Sequence, residues 1–596
     1  MLNLSKRKWL SCVASPQILF FIGLFSLMLL VHWKTISNDI LLGYDDDYVV
    51  APMEKVTGIS DYISKIKSGE IYDLQPVRDF TFWFDFQIKK TLNIGPHHFT
   101  NLMVWTFILI LLFSLLVIQK IPNFMAYLLV SMYAFHPCFT NALLWVTARK
   151  HLLSTLFILL ASYFLIRVVN NEKNKVCRSS KKYLFSICIF YLLSCFSQPI
   201  NILWPLWAFA FVIHQHNYSL DKLLNKRWIV TSLILLGILV TCAMLNNFYY
   251  TKVYVGQSEI AKYVSEADNQ ISYRLLSIGR SYWQTLVPFW STPTSYYPGS
   301  IQNILGIVLI VIVVWGVYKN RNRSLFIWLL FSVLPILVTT INLTNIFGSD
   351  TYILNTGIGM YIIGGLVVGA YSSNPIFLQK RIKYFISAAF IFLLMAYIYL
   401  SYQVSSSWQS DLSLFERAVK IETTPFNLKS YIQKLLQKGE YKKSYISAQK
   451  LMEWDPYGYN VDQVYASSIY KNPEISIQNK IILLENKLTI IEDSPWLKYY
   501  LAGLYASLSK FDKALSIINS IPEKDFHFFK EDMEIVLAEY IFFNQKSGKE
   551  YLSIVDKVMK IKNTINGNKW NEQKFLTRLQ SLGIDIGKSA HSSREE

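Results

Sequence analysis

The chain has 596 residues, 52% apolar and 15% aromatic, with only 16% charged and a formal net charge of +18. That balance excludes an ordinary soluble enzyme and describes a polytopic membrane protein. The positive charge is not a nucleic-acid signature, because the basic residues sit in short clusters between apolar runs.

The first apolar run, residues 16–33, follows Lys6, Arg7 and Lys8 and is too long for a cleavable signal peptide. Further runs suited to about 30 Å of hydrocarbon lie at 101–118, 122–138, 151–168, 183–198, 200–214, 228–247, 302–318, 325–342, 353–371 and 383–402, giving eleven in all. The runs meeting at Gln198-Pro199 read equally as one hairpin with a shallow tip. Basic clusters at Arg167–Lys182, Lys222–Arg227, Lys319–Arg323 and Lys380–Lys383 all fall on the same side as Lys6–Lys8. The positive-inside rule makes that side cytoplasmic and places everything after residue 403 across the membrane.

None of the six cysteines (Cys12, Cys138, Cys177, Cys188, Cys195, Cys242) forms a CxxC pair. No disulfide framework or zinc site is predicted. The far-side segments 34–100 and 248–300 are long and rich in aromatic and turn residues, which predicts ordered amphipathic structure at the membrane interface. Trp83, Trp105 and Trp145 read as belt aromatics. Cytoplasmic loops are short and basic, so chemistry is expected on the far side.

After a connector at 404–424, composition shifts to Lys, Glu, Ser and Tyr with helical periodicity. Leu501, Ala502, Tyr505, Ala514, Ile518 and Pro522 have the spacing of a tetratricopeptide repeat, and an earlier unit shows in Gly439, Tyr441, Ala448, Asp455 and Pro456. Degenerate helical repeats are predicted over 425–560, then a C-terminal helix and disordered polar tail over 561–596. The fold class is therefore all-α, a membrane domain over 1–403 followed by an α-solenoid.

Three consecutive carboxylates, Asp45, Asp46 and Asp47, lie just beyond the first run. They read either as a solvated acidic turn or as a site for something cationic or protic. On the same side lie Arg78, Asp79 and Asp85 in the first loop, and His136, Asn141, Trp145, Arg149, Lys150 and His151 in the next. Ser197, Gln198 and Pro199, Tyr273, Arg274 and Arg280, and Asp350 and Tyr352 complete the face. A carboxylate can deprotonate a hydroxyl nucleophile, and Arg or Lys can meet a departing phosphate. Arg149 and Lys150 equally suit snorkelling to headgroups. His98 and His136 suit interfacial hydrogen bonding, and His97 and His98 together make no metal site by themselves although the aspartate run could contribute oxygens. No Gly-rich phosphate loop, HExxH or Gly-x-Ser-x-Gly element occurs, so ATP-driven transport has no support.

Several segments together are similar to a known pattern: GYDDDYVV, PVRDFTFWFDF followed by HFTNLM, HPCFTNALLWVTARKHLLSTLF, YRLLSIGRSYWQTLVPFWSTPTSYYPG and SSSWQSDLSLFERAV. In this order they resemble the transmembrane and tetratricopeptide-repeat-containing protein O-mannosyltransferase family, with its GT-C-type membrane domain, and its bacterial relatives. The resemblance implies transfer of a mannose-like or other hexose from a polyprenyl- or dolichyl-phosphate carrier to a protein Ser or Thr. Asp45 or Asp46 would be the base, and Arg149, Lys150 and Arg78 would bind the donor phosphate. His98, His136, Trp145, Gln198, Arg274, Asp350 and Tyr352 are further site candidates. The repeats would engage the exported acceptor, the lipid-linked donor is the cosubstrate implied, and the sequence argues neither for nor against a divalent metal. Departures are Asn141 for a usual Glu, Gln198 for Lys, Thr351 in the usual Arg-Tyr pair and Thr356 for Pro. Two other readings stay open: a GT-C transferase acting on a glycan or lipid, and a non-catalytic scaffold recruiting partners through its repeats. Lys, Asn and Ile usage and the lack of eukaryotic sorting signals favour a bacterial inner membrane.

Overall fold

The computed structural model describes residues 15–38, 46–68, 70–71, 74–93, 95–173, 180–216, 226–249, 271–288, 301–319, 323–341, 353–372, 380–458, 460–508, 510, 513–514, 516–517 and 520–521. Among them every regular element is a helix. Asp45, Asp350, Tyr352, most of the 248–300 loop and the 561–596 tail lie outside the described residues, as do the side chains of Asp47 and Arg274. The chain divides into two compact units at Asn427/Leu428.

In the first unit the helices are α1 (Pro16–Asn38), α2 (Asp46–Val49), α3 (Ile59–Ser68), α4 (Pro76–Leu92), α5 (His97–Ile118), α6 (Asn123–Ala134), α7 (Pro137–Leu144) and α8 (Arg149–Lys173). They continue as α9 (Ser180–Ser197), α10 (Trp204–Gln215), α11 (Lys226–Tyr249), α12 (Ile271–Leu286), α13 (Ile301–Lys319), α14 (Arg323–Ile341), α15 (Leu354–Ser372), α16 (Lys380–Ser407) and α17 (Asp411–Ile421). Nine of the eleven apolar runs overlap a single helix each, while 122–138 and 200–214 are interrupted. Among the described residues five stretches are long and apolar enough to cross a membrane: Pro16–Ser37, His97–Ile118, Val146–Lys173, Lys226–Leu245 and Ala388–Ser407. Four more, within α6, α13, α14 and α15, are apolar but shorter.

The run at 122–138 breaks at Phe135–His136, because Pro137 disfavours helical backbone at the residue before it and then opens α7 itself. His136 is extended, at φ −66° and ψ 120°. The 139–150 segment is not an open loop: α7 runs to Leu144, Trp145 is extended, and a 3-10 turn over Val146–Ala148 leads into α8.

The membrane unit's core is aromatic. Trp105 stacks on Tyr133 at 5.2 Å, and Trp207 packs with Phe211, Trp328 and Phe331 at 5.1–5.4 Å. Trp105 is fully buried and Trp145 nearly so, against Tyr133 and Trp408, which corrects their reading as belt residues. Helices α12 and α13 cross at Gly279 and Gly306, where a Cβ on Gly306 would collide with the Gly279 carbonyl oxygen. The first loop carries its own small core of Val49, Val50, Met53, Val56, Ile71, Phe82 and Phe86, which closes on Val146 of the 3-10 turn.

The second unit contains α18 (Pro425–Gln437), α19 (Tyr441–Trp454), α20 (Val461–Lys471), α21 (Ile477–Leu488) and α22 (Pro495–Ser507). Helix α19 packs on α20, α21 on α22, and α20 also on α22. Ala448, Leu501 and Ala502 are buried, as small and large residues at a helix crossing must be.

Candidate functional site

The site is built on the bend between α7 and α8. Leu144 ends α7 because Trp145 turns extended, and the Trp145 carbonyl then accepts from Ala148 N at 3.0 Å to close the 3-10 turn. Asn101 of α5 donates its amide to the carbonyls of Leu143 and Trp145 at 3.2 and 3.3 Å, fixing the bend from the side.

Asp46 docks on this turn. It is buried, at 1% exposure, and accepts from the Thr147 backbone N–H at 3.0 Å and the Thr147 hydroxyl at 2.5 Å. Asp46 opens α2, which holds the carboxylate over the first-loop core.

Arg149, at the start of α8, is fully buried and tightly held. Its Nη2 lies 2.6 Å from Asp85 Oδ2 and donates to the His97 carbonyl at 2.8 Å. Its Nε donates to Asn101 Oδ1 at 2.7 Å and its Nη1 to Thr81 Oγ1 at 3.2 Å. The Phe82 ring lies under the guanidinium at 4.5 Å. Snorkelling to headgroups is therefore not what this side chain does. Arg78 is equally buried: its Nε and Nη2 donate to Asp79 Oδ1 at 2.8 and 2.6 Å, and its Nη1 to Gln75 Oε1 at 3.0 Å. The chain extends through Tyr62, which donates to Asp79 Oδ2 at 2.7 Å, and through Gln75, which donates to Gln198 Oε1 at 2.6 Å.

Asp85 holds two partners besides Arg149: His97 Nδ1 at 3.1 Å and the Thr100 hydroxyl at 2.8 Å. Burial pushes its carboxyl up, but the His97 hydrogen bond, the Arg149 charge and Thr100 outweigh that and leave it below the usual carboxylate range. Lys150 is half-buried at the next position.

Asp46, Trp145, Arg149 and Lys150 thus meet at one bend, Arg78 shares the Phe82 ring with Arg149, and Gln198 is joined to Arg78 through Gln75. His136 is not. It faces the other way, stacked on Phe139 at 4.0 Å with Nε2 against the Thr285 carbonyl at 3.1 Å. His98 is buried in the first turn of α5. Asn141 accepts from the Trp408 indole at 2.9 Å, so the amide that departs from the family pattern has a packing partner. Among the described residues no group of three or more His, Cys, Asp or Glu forms a metal cage.

Sequence reasoning named Asp85 and His97 without giving them this role, and missed Thr147 and Asn101. Asp85, Asn101 and Thr147 lay inside quoted segments and His97 beside one, but the pairings span 12 to 101 residues, and no spacing rule reveals such contacts. No protein-family model, no curated protein and no solved structure matches this chain.

Proposed function

We propose that the chain is a membrane glycosyltransferase that moves a hexose from a polyprenyl-phosphate carrier to Ser or Thr hydroxyls of exported polypeptides. The observation that carries this reading is a carboxylate beside cations at one bend: Asp46 on Thr147, with Arg149 and Lys150 on the bend itself and Arg78 sharing the Phe82 ring with Arg149. In this mechanism Asp46, with Asp45 as neighbour or substitute, takes the acceptor proton as the hydroxyl oxygen bonds to the sugar carbon. The bond from that carbon to the phosphate oxygen breaks, its electron pair leaves with the phosphate, and the sugar carbon inverts. Lys150 meets the phosphate, and Arg149 and Arg78, each paired with a carboxylate, hold the surrounding scaffold.

The accompanying topology has eleven spans, a cytoplasmic N-terminus and helical repeats on the far side, in a bacterial inner membrane. Helix-on-helix packing in the second unit supports a tetratricopeptide-like array that holds the acceptor chain. The resemblance to O-mannosyltransferases supports a mannose-like sugar, and the departures at Gln198 and Thr351 leave the hexose open. The test is transfer of labelled sugar from a polyprenyl-phosphate donor to a Ser/Thr peptide by the protein in liposomes, with Asp45→Asn and Asp46→Asn made separately.

One observation favours a second reading. Arg78 and Arg149 already have carboxylates on their guanidinium edges, as in a scaffold whose site no longer takes a donor. On that reading, deleting the gene changes no glycan but lowers the abundance of a co-purifying partner.

A further inference from the structure

We propose that Asp85 is a positioning residue for the base: through Arg149 it braces the Trp145–Lys150 bend, whose Thr147 holds the Asp46 carboxylate. The inference rests on the glycosyl-transfer reading for its kinetic consequence, but its structural part stands apart from it.

The chain of contacts is continuous. Asp85 is buried, with 1% of its side chain exposed, and neutralises a guanidinium that is itself fully buried. That guanidinium is fixed from α4 by Asp85 and Thr81 and from α5 by His97 and Asn101. Asn101 also holds the Leu143 and Trp145 carbonyls, so both ends of the bend are tied to one cluster. Thr147 sits between those ends, and its N–H and hydroxyl both point at Asp46. Removing the Asp85 charge strands a buried cation, and the route by which Arg149 escapes is movement of the bend. Such movement displaces Asp46 without touching donor or acceptor. A displacement of about 1 Å at a reacting group costs on the order of 100-fold in rate.

The experiment uses the full chain in nanodiscs, with hydrogen exchange read at the Thr147 amide and transfer kinetics read in parallel. In Asp85→Asn the Thr147 amide exchanges about tenfold or more faster, while α13 and α14 exchange as in the parent protein. Asp85→Glu restores most of the protection. In transfer, kcat falls about 10- to 100-fold with donor KM within about twofold. Asp85→Asn and Thr147→Val combine non-additively, since both act on Asp46 through one bend. Should Asp85→Asn fail to fold, Thr100→Val removes one of the three donors to Asp85 and gives a smaller shift in the same direction. Unchanged Thr147 exchange in a folded variant, or additive kinetic losses, overturns the proposal. Absence of any transfer by the parent protein sinks the proposed function instead, and the exchange result then judges Asp85 alone.

Discussion

Replacing Arg149 by Leu tests the buried ion pair that underlies the site. The substitution removes a guanidinium bonded to Asp85, Asn101, Thr81 and the His97 carbonyl, and leaves Asp85 with only His97 and Thr100 among the partners described above. Breaking a buried pair by removing one member costs about 3–5 kcal/mol, because the remaining charge stays desolvated. Loss of the contact with the Phe82 ring adds up to about 2 kcal/mol. The total is about 3–7 kcal/mol. In a chain this long each kcal/mol moves the melting temperature by only about 1–2 °C, so a drop of roughly 3–14 °C is expected. The double variant Arg149→Leu with Asp85→Asn removes both charges and recovers at least half of that loss. The assay is thermal unfolding in detergent at one scan rate, comparing parent, both single variants and the double. A double variant no more stable than Arg149→Leu, or a single shift below about 2 °C, refutes the closed pair.

Other outcomes follow from the same structure. Because Asp85 titrates below its ordinary value, its stabilisation is fully present above the unfolded carboxylate pKa of about 4 and is lost as pH falls through the folded value. Melting temperature should therefore fall steeply below about pH 4, and the slope should flatten in Asp85→Asn. Gly306→Val should prevent α12 and α13 from closing, seen as loss of monodisperse protein by size-exclusion chromatography. Arg280 binds both carboxylate oxygens of Glu422 at 3.0 and 2.6 Å. Removing it as Arg280→Gln should cost about 2–4 kcal/mol and speed proteolysis between α17 and the second unit.

Much of the fold was legible because apolar runs mark apolar helices, and nine of the eleven runs each overlap a single helix. The run at 122–138 shows the limit: its hydropathy continues past His136, but the backbone cannot, since Pro137 starts a new helix. The site was legible as a set of segments, not as a set of contacts. DDD, PVRD and WVTARK each carry chemistry-bearing residues, and Asp46 and Arg149 do meet at one bend, with Arg78 sharing the Phe82 ring with Arg149. What sequence could not give is which charge neutralises which. Arg149 pairs with Asp85, 64 residues away, rather than with the aspartate run, and the packing of α4 on α8 brings them together. The burial of Trp105 and Trp145 was hidden for a similar reason: Trp composition marks either an interface or a core, and the partner ring decides.

The central claim is that Asp46 is the base of a glycosyl transfer. Its most direct test is the initial rate of sugar transfer from a labelled polyprenyl-phosphate hexose to a Ser/Thr peptide by the purified protein in liposomes, parent against Asp46→Asn. Losing a general base predicts a fall of about 100- to 10,000-fold in kcat with an unchanged melting temperature. An Asp46→Asn protein that transfers sugar at the parent rate contradicts the account.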